Sequence, residues 1–105
     1  MELLYRDDDL LAVAKPAGML MHRSRVAADE TGFAVQAARD LAGRRVYPVH
    51  RLDRPTSGLL LFAFSPAVAD TLMRQFAAAS VGKRYMALVR GWMATAGDID
   101  YPLAP

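Results

Sequence analysis

Residues 50–58, with the sequence HRLDRPTSG, gather acidic, basic and hydroxyl side chains into one short segment. Its carboxylate, Asp53, is a candidate nucleophile, because Arg51 and Arg54 lie close by in sequence and favour the ionised form if they fold toward it. The apolar run LLLFAF follows directly and could hold the segment in place. The segment therefore predicts either a rigidly presented catalytic carboxylate or a loop with a capping aspartate and solvated arginines.

The remaining residues of the segment can support such a carboxylate. Leu52, placed between two polar residues, can anchor the loop in the core. Thr56 and Ser57 can hydrogen-bond local amides, and Gly58 permits a tight backbone approach before the strand. We expect His50 to be a hydrogen-bonded structural residue rather than an acid–base catalyst.

The composition indicates one modest globular domain. The chain has 105 residues, of which 53% are hydrophobic, enough for a packed core. No apolar run reaches the roughly 18 residues of a membrane span, and the N-terminal sequence is acidic where a signal peptide would be basic. The lack of cysteine excludes disulfides and thiol catalysis, and two distant histidines make a poor metal site. We therefore predict a soluble cytoplasmic domain with no metal and no membrane contact.

The basic residues are mostly arginines. Of 13 basic residues, only Lys15 and Lys83 are lysines. A guanidinium binds phosphate with two parallel hydrogen bonds and stacks on bases, which suits RNA binding. A GC-rich genome would explain the same bias, and a net charge of +2 does not by itself indicate a nucleic-acid partner.

Short apolar runs predict a sheet around the segment. ELLYRD and LLAVAK read as two strands separated by an acidic turn at 7–9, and MLMH and VYPV read as further short strands. LLLFAF is apolar on both alternating faces, which predicts a central strand covered on both sides. KRYMALVRGW reads as another strand, with Tyr85, Ala87 and Val89 on one side, and residues 23–31 as a loop.

Two stretches have helical patterns. Residues 31–43 place four apolar residues on one face and end at Gly43; these are Ala34, Ala37, Ala38 and Leu41. Residues 65–80 begin with Ser65 as N-cap and Pro66 at the first helical position, and their apolar stripe is Ala69, Leu72, Met73 and Phe76. We expect Trp92 and the six methionines to fill the core. The predicted fold is α+β, a mixed, largely antiparallel sheet with flanking helices.

Three ordered motifs resemble the RluA-type pseudouridine synthases. HRLDRPTSG is similar to the family signature H-R-L-D-x-x-T-S-G, DDDLLAVAKPAGMLMH to its opening strand pair with a K-P-x-G turn, and KRYMALVRG to its K-x-Y motif. One departure is Ala14, where the family usually has asparagine. The resemblance implies that residues 1–105 are the N-terminal portion of a pseudouridine synthase catalytic domain, incomplete and without a separate N-terminal RNA-binding module.

The resemblance also implies a reaction, the isomerisation of uridine to pseudouridine in RNA without a cofactor or metal. Asp53 matches the catalytic aspartate, which would attack C6 of uracil or C1′ of ribose, or assist loss of the base. Tyr85 matches the tyrosine that packs on the flipped base and can take the C5 proton, although its strand alternation fits an ordinary sheet tyrosine equally well. Arg51 matches the residue that fills the gap left by the flipped base.

The expected RNA-binding set is wider than the catalytic pair. It comprises Arg51, Arg54, His22, Arg23, Lys83 and Arg84, supported by the motif residues His50, Leu52, Thr56, Ser57 and Gly58. The segment around His22 and Arg23 can line an RNA path or be a solvated loop. The chain looks most like a tRNA-acting branch whose target lies on the T-stem side. An rRNA-directed synthase or a non-catalytic RNA-binding module stays open, and we expect no obligate protein partner.

Overall fold

A four-stranded sheet with two helices forms the fold. The computed structural model describes residues 1–22, 33–92 and 95–100. The strand order is β1-β2-β4-β3, and each described pair is antiparallel. The strands are β1 (Glu2–Arg6), β2 (Leu10–Lys15), β3 (Tyr47–Pro48) and β4 (Gly58–Ala63), and the helices are α1 (Ala34–Ala42) and α2 (Pro66–Ala77). The predicted α+β class is confirmed.

The turn between β1 and β2 is closed by an aspartate. Asp7 Oδ1 accepts hydrogen bonds of 2.8 Å from the backbone N–H groups of Asp9 and Leu10. These bonds stabilise the ionised carboxylate and hold the pKa of Asp7 below its ordinary value. β1 is an edge strand, and its pairing with β2 is irregular between Leu3 and Tyr5, where a bulge interrupts the register.

β4 is the central strand and is covered on most of both faces. Leu60 and Phe62 are fully buried in the core cluster that includes α1. Ala63 and Leu61 face the other way and pack in the cluster beneath α2. The cover is incomplete at the beginning of the strand, where Leu59 is exposed. The predicted two-sided burial therefore holds except at the end nearest residues 50–58.

α1 packs on the sheet through small side chains. Ala34, Ala38 and Ala42 recur every four residues and are buried, which lets the helix lie close to the strands. Gly43 ends the helix with φ 67° and donates its N–H to the Arg39 carbonyl, as predicted. Leu41, expected on the buried face, is exposed, because the face that meets the sheet is centred on the alanines.

α2 begins as its sequence predicts. Ser65 Oγ accepts a 3.2 Å hydrogen bond from the Val68 N–H, and Pro66 occupies the first turn. Leu72 and Phe76 pack around buried Ala69, whereas Met73, predicted to lie on the same stripe, is exposed.

A strained residue, Ala79, follows the C-terminal end of α2. Ala79 adopts φ 56°, a left-handed conformation that glycine prefers, while the Ser80 N–H donates to the Gln75 carbonyl at 3.1 Å.

Replacing Ala79 with glycine should stabilise the protein. The substitution removes a steric conflict at a positive φ, and we expect the free energy of unfolding to rise by about 0.5–1 kcal/mol. Urea unfolding of the full-length protein measures the change. Ala78→Gly is the matched control, because Ala78 has φ −80° and gains nothing from glycine. An Ala79→Gly variant no more stable than the wild type would contradict the argument.

Several arginines have structural contacts at the end of the sheet where β4 finishes. The guanidinium carbons of Arg44 and Arg6 lie 4.5 Å and 5.0 Å from the centre of the Phe64 ring. Arg44 also donates to the Phe64 carbonyl at 3.3 Å, and Arg6 donates to the Ala42 carbonyl at 3.0 Å. These arginines therefore have a structural role: they cover an aromatic ring and bind backbone carbonyls, one of them at a helix end. This role is independent of RNA binding and of codon bias.

Two strand predictions were wrong, and so was the prediction that Trp92 lies in the core. MLMH forms no strand; instead the Leu20 and Met21 carbonyls accept the N–H groups of Ala34 and Val35, at 2.7 Å and 3.1 Å, at the start of α1. KRYMALVRGW is not a strand either, because no strand among the described residues pairs with it. Trp92 lies on this exposed segment and not in the core.

The methionines also divide between two environments. Met21 is buried, and Met1 and Met19 pack against the core, as predicted. Met73 and Met86 are exposed, which contradicts the prediction. The sixth methionine and the loop predicted for residues 23–31 lie outside the described residues.

Candidate functional site

The candidate site is a turn that projects between β3 and β4. The Thr56 N–H donates to the Asp53 carbonyl at 2.9 Å, which closes the turn. Leu52 is buried directly before it and anchors the segment in the core cluster, as expected. The side chain of Asp53 is 79% exposed. The turn therefore presents a carboxylate to solvent on a backbone that is anchored in the core.

The two neighbouring arginines behave differently. Arg51 Nη2 lies 3.8 Å from Asp53 Oδ1, and both side chains are largely exposed, so the pair contributes at most about 1 kcal/mol. Arg54 turns toward the K-P-A-G turn, where its Nε donates to the Gly18 carbonyl at 3.1 Å. The Gly18 N–H in turn donates to the Arg54 carbonyl at 2.6 Å. Arg54 thus joins the two turns.

Lys15 lies beneath the same turn. Its side chain is 1% exposed, and its Nζ donates to the carbonyls of Pro16, Asp53, Arg54 and Thr56 at 3.1, 3.3, 3.2 and 2.8 Å. Burial lowers the pKa of Lys15, and the negative charge of Asp53 opposes that shift. The sequence analysis missed this residue, although it recognised the K-P-x-G motif to which Lys15 belongs.

His50 is tied to the sheet. Its Nε2 accepts a 3.0 Å hydrogen bond from the Leu61 N–H, and its ring stacks on Phe76 with centroids 4.7 Å apart. Burial lowers the pKa of His50; the charge of Lys83 adds to this effect, and a hydrogen bond with the Arg51 backbone opposes it. Since Nε2 can accept only when it carries no proton, this geometry requires neutral imidazole.

The stability of the fold should therefore fall on mild acidification. The folded-state pKa of His50 lies below its ordinary value of 6.5, so the unfolded chain binds more protons as pH drops below that value. The loss continues until the folded-state pKa is reached. Denaturant unfolding at about pH 7.5 and about pH 5.5 measures it.

His50→Gln is the control for this titration, because a side-chain amide oxygen can still accept from Leu61 but does not titrate. We expect a smaller loss of unfolding free energy between the two pH values in this variant. An equal loss in both proteins would show that His50 does not carry the effect.

Two cavities flank residues 50–58. One of ≈ 500 Å³ is lined by Thr56, Ser57, Gly58, Lys83, Arg84 and Tyr85, among others. The other, of ≈ 470 Å³, is lined by His22, His50 and Arg51 together with the apolar residues Leu20, Met21, Pro48, Val49 and Met73. The structure thus brings the K-x-Y residues to one side of the segment and His22 with Arg51 to the other. Asp53 lines neither of these two cavities.

The other predicted RNA-binding residues are exposed. Lys83, Arg84 and Tyr85 lie on the exposed segment after α2, and Lys83 Nζ is 5.9 Å from the centre of the Phe76 ring. Arg23 lies outside the described residues. Within 1–22, 33–92 and 95–100, no group of three His, Cys, Asp or Glu side chains could hold a metal ion. No described helix has the length and apolar character needed to cross a membrane.

Comparison with known proteins agrees with these motifs. The profile of a family described as RNA pseudouridylate synthase matches residues 9–105. The tRNA pseudouridine synthase C proteins of Pasteurella multocida and Haemophilus ducreyi are 56% and 53% identical to this chain over 103 residues. Each alignment covers 98% of this chain but 42% of the relative, so the chain spans less than half the length of these relatives.

A solved structure shows the same fold. Human RNA Pseudouridylate Synthase Domain Containing 4 aligns with a TM-score of 0.59 at 24% sequence identity. The alignment covers 75% of this chain and 30% of that chain.

Proposed function

Because this chain belongs to the RNA pseudouridylate synthase family, we propose that the full-length protein isomerises uridine to pseudouridine in tRNA. The observation that carries the proposal is the exposed carboxylate of Asp53 on a core-anchored turn inside the matched region. The reaction breaks the bond between uracil N1 and ribose C1′, joins C5 to C1′, removes the proton from C5 and places a proton on N1, so that the product is an isomer of uridine. A carboxylate that substrate can reach is suited to begin it.

Asp53 is the proposed central catalyst. Its negative charge makes it a nucleophile toward C6 of uracil or C1′ of ribose, and equally a group that assists loss of the base. The Thr56–Asp53 backbone hydrogen bond and buried Leu52 hold the backbone of the turn that carries the carboxylate. Such positioning is one of the larger contributions that a protein makes to a reaction rate.

Arg51 and Tyr85 are proposed to handle the flipped nucleotide. A uridine inside a stem has to leave the base stack before its ring atoms can be reached. Arg51 is exposed beside Asp53, so its flat cation can occupy the gap left in the helix. Tyr85 lines the larger cavity, where its ring can pack on the extruded uracil and its hydroxyl can take the C5 proton.

The proposed RNA contacts lie on both sides of the turn. Lys83 and Arg84 border one cavity and His22 the other, and all three are exposed. Lysine and arginine side chains in such positions bind phosphates and fix the register of RNA on the protein, and a histidine can hydrogen-bond to them. Arg54 and Arg23 belong to the same proposed set.

The proposed target is a tRNA uridine on the T-stem side, in the region of uridine 65. The names of the two relatives support tRNA over rRNA. We further propose that residues 1–105 are the N-terminal portion of the catalytic domain, since the aligned relatives are more than twice as long. The activity would belong to the cytoplasm and require no obligate protein partner.

Pseudouridine mapping on RNA from cells with and without the gene tests the function. We expect one T-stem-side pseudouridine of tRNA to disappear and to return when the full-length wild-type gene is restored. Loss of a pseudouridine from rRNA instead would favour an rRNA-directed synthase. Unchanged tRNA and rRNA would contradict the catalytic proposal and favour an RNA-binding module.

A further inference from the structure

The smaller of the two cavities has no occupant in the function proposed above. It has a volume of ≈ 470 Å³ and lies on the Arg51 side of residues 50–58. Most of its lining is apolar and its polar groups are few, which is typical of small-molecule sites with volumes of about 300–1,000 Å³. In size and polarity the cavity therefore suits a flat organic ring such as a nucleobase.

The ionisable side chains around the smaller cavity carry no negative charge. Among the described residues that line it, these side chains are His22, His50 and Arg51, and none is an acid. Arg51 and His22 are exposed, so they can meet a charged group at the entrance. An apolar cavity with a cation at its entrance suits a nucleotide, because the base has apolar faces and the phosphate is negative.

Met73 gives this cavity an apolar surface that the described residues leave uncovered. It is 51% exposed, whereas Leu72 and Phe76 of the same helix pack around Ala69. The sulfur of methionine makes favourable contacts with aromatic rings, and its flexible side chain adapts to rings of different shape. A base bound in the cavity would cover this exposed surface.

The two cavities lie on either side of His50, which lines both of them. Tyr85, proposed to pack on the uracil, lines only the larger cavity, and Arg51, the proposed wedge, lines only the smaller. A side chain that fills the gap left by a flipped base contacts the bases that bordered that gap. With Arg51 in the gap, one of these bases therefore lies at the entrance of the smaller cavity.

We propose that the smaller cavity binds a nucleobase that flanks the target uridine in the same RNA strand, so that two consecutive bases leave the stack on opposite sides of His50. The inference rests on the proposed function and adds a second base-binding site to it. Single-stranded bases that are splayed apart and held on side chains are a common mode of RNA recognition. Because the lining is mostly apolar, it contacts the faces of the ring and accepts any base.

The test is a binding cycle between Met73 and the flanking bases. Stem-loop RNAs carry the target uridine with intact neighbours or with an abasic site on its 5′ or its 3′ side. The full-length protein carries Asp53→Asn, so that the RNA is not converted during the titration. We expect one of the two abasic RNAs to bind about 10-fold more weakly than the intact RNA, and replacement by another base to have little effect.

Met73→Ala is expected to weaken binding of the intact RNA about fivefold and to cause no further loss on that abasic RNA. An abasic site also changes the stability of the stem, but this effect is the same for both proteins and cancels in the cycle. Leu41→Ala is the matched control, because Leu41 is an exposed apolar residue of a helix and lines neither of the two cavities. It should bind all three RNAs with wild-type affinity.

A second measurement reports directly on the flanking base. The fluorescence of 2-aminopurine is quenched when the base is stacked and rises when the base leaves the stack. With 2-aminopurine at the flank identified by the cycle, we expect the fluorescence to rise when the protein with Met73 binds. The rise should be smaller with Met73→Ala and unchanged with Leu41→Ala.

Equal losses from Met73→Ala on intact and abasic RNAs would overturn the inference, as would a loss of the same size from Leu41→Ala. Unchanged RNA binding with a lower free energy of unfolding in Met73→Ala would show that the chain itself covers the cavity, and would also overturn it. If the wild-type protein binds RNA but forms no pseudouridine, the proposed function fails, and the cycle still decides whether the cavity holds a base. RNA that does not bind at all would contradict both.

Discussion

Replacing Asp53 with asparagine is expected to abolish pseudouridine formation while RNA binding survives. The amide keeps the shape and most hydrogen-bonding capacity of the side chain but removes its negative charge. Phosphate contacts supply most of the affinity for RNA, and the exposed arginines and lysine are unchanged. We expect turnover to fall by more than about a thousandfold, a barrier increase of about 4 kcal/mol. Release of tritium from tRNA labelled at C5 of uridine measures turnover, and gel-shift titration measures binding.

Asp70→Asn is the matched control for this substitution. Asp70 is an exposed carboxylate on α2 that pairs with Arg74 at 3.0 Å and lines neither of the two cavities. Its conversion to the amide should leave turnover near the wild-type rate. If Asp53→Asn keeps more than about a thousandth of wild-type turnover, Asp53 is not the central catalyst.

Replacing Arg51 with alanine is expected to slow turnover much more on a folded stem-loop than on an unstructured oligonucleotide. Opening a stem costs a few kcal/mol of stacking and pairing, which a wedge in the gap would partly restore. We expect a loss of about 10- to 100-fold on the stem-loop, equivalent to about 1.4–2.7 kcal/mol, and little loss on the flexible strand. Single-turnover rates on the two RNAs, with the target uridine in the same local sequence, give the comparison.

The alternative role for Arg51 predicts a different pattern. If its guanidinium acted only as a charge partner of Asp53, both RNAs would be affected equally. The 3.8 Å separation and the exposure of both groups make that pairing weak, which favours the wedge. Arg74→Ala, which removes an exposed arginine from α2, should leave both rates unchanged.

Most of the fold follows from local patterns in the sequence. The N-cap at Ser65, the stop at Gly43 and the two-sided apolar run of β4 depend on neighbouring residues, so they could be predicted. Residues 83–89 show that an alternating side-chain pattern does not suffice to predict a strand. The backbone N–H and C=O groups of a strand also need a neighbouring strand to pair with. A pattern within one segment contains no information about that partner.

The candidate site, like the fold, could be predicted only in part from the sequence. The HRLDRPTSG motif identified Asp53 from contiguous residues, whereas Lys15 could not be assigned its contacts from the sequence. Three of its four partners lie 38, 39 and 41 residues away along the chain, and all four are backbone carbonyls. Every residue has a carbonyl, so no choice of side chain at the receiving positions could indicate the contact.

The bulge in β1 bears on the tendency of this protein to aggregate at high concentration. An edge strand with exposed apolar side chains, here Leu3 and Leu4, is a template on which a foreign strand could add and seed aggregation. The bulge between Leu3 and Tyr5 breaks the even spacing of N–H and C=O groups that such addition needs. We therefore expect this irregularity, which has no part in the proposed chemistry, to reduce aggregation through β1.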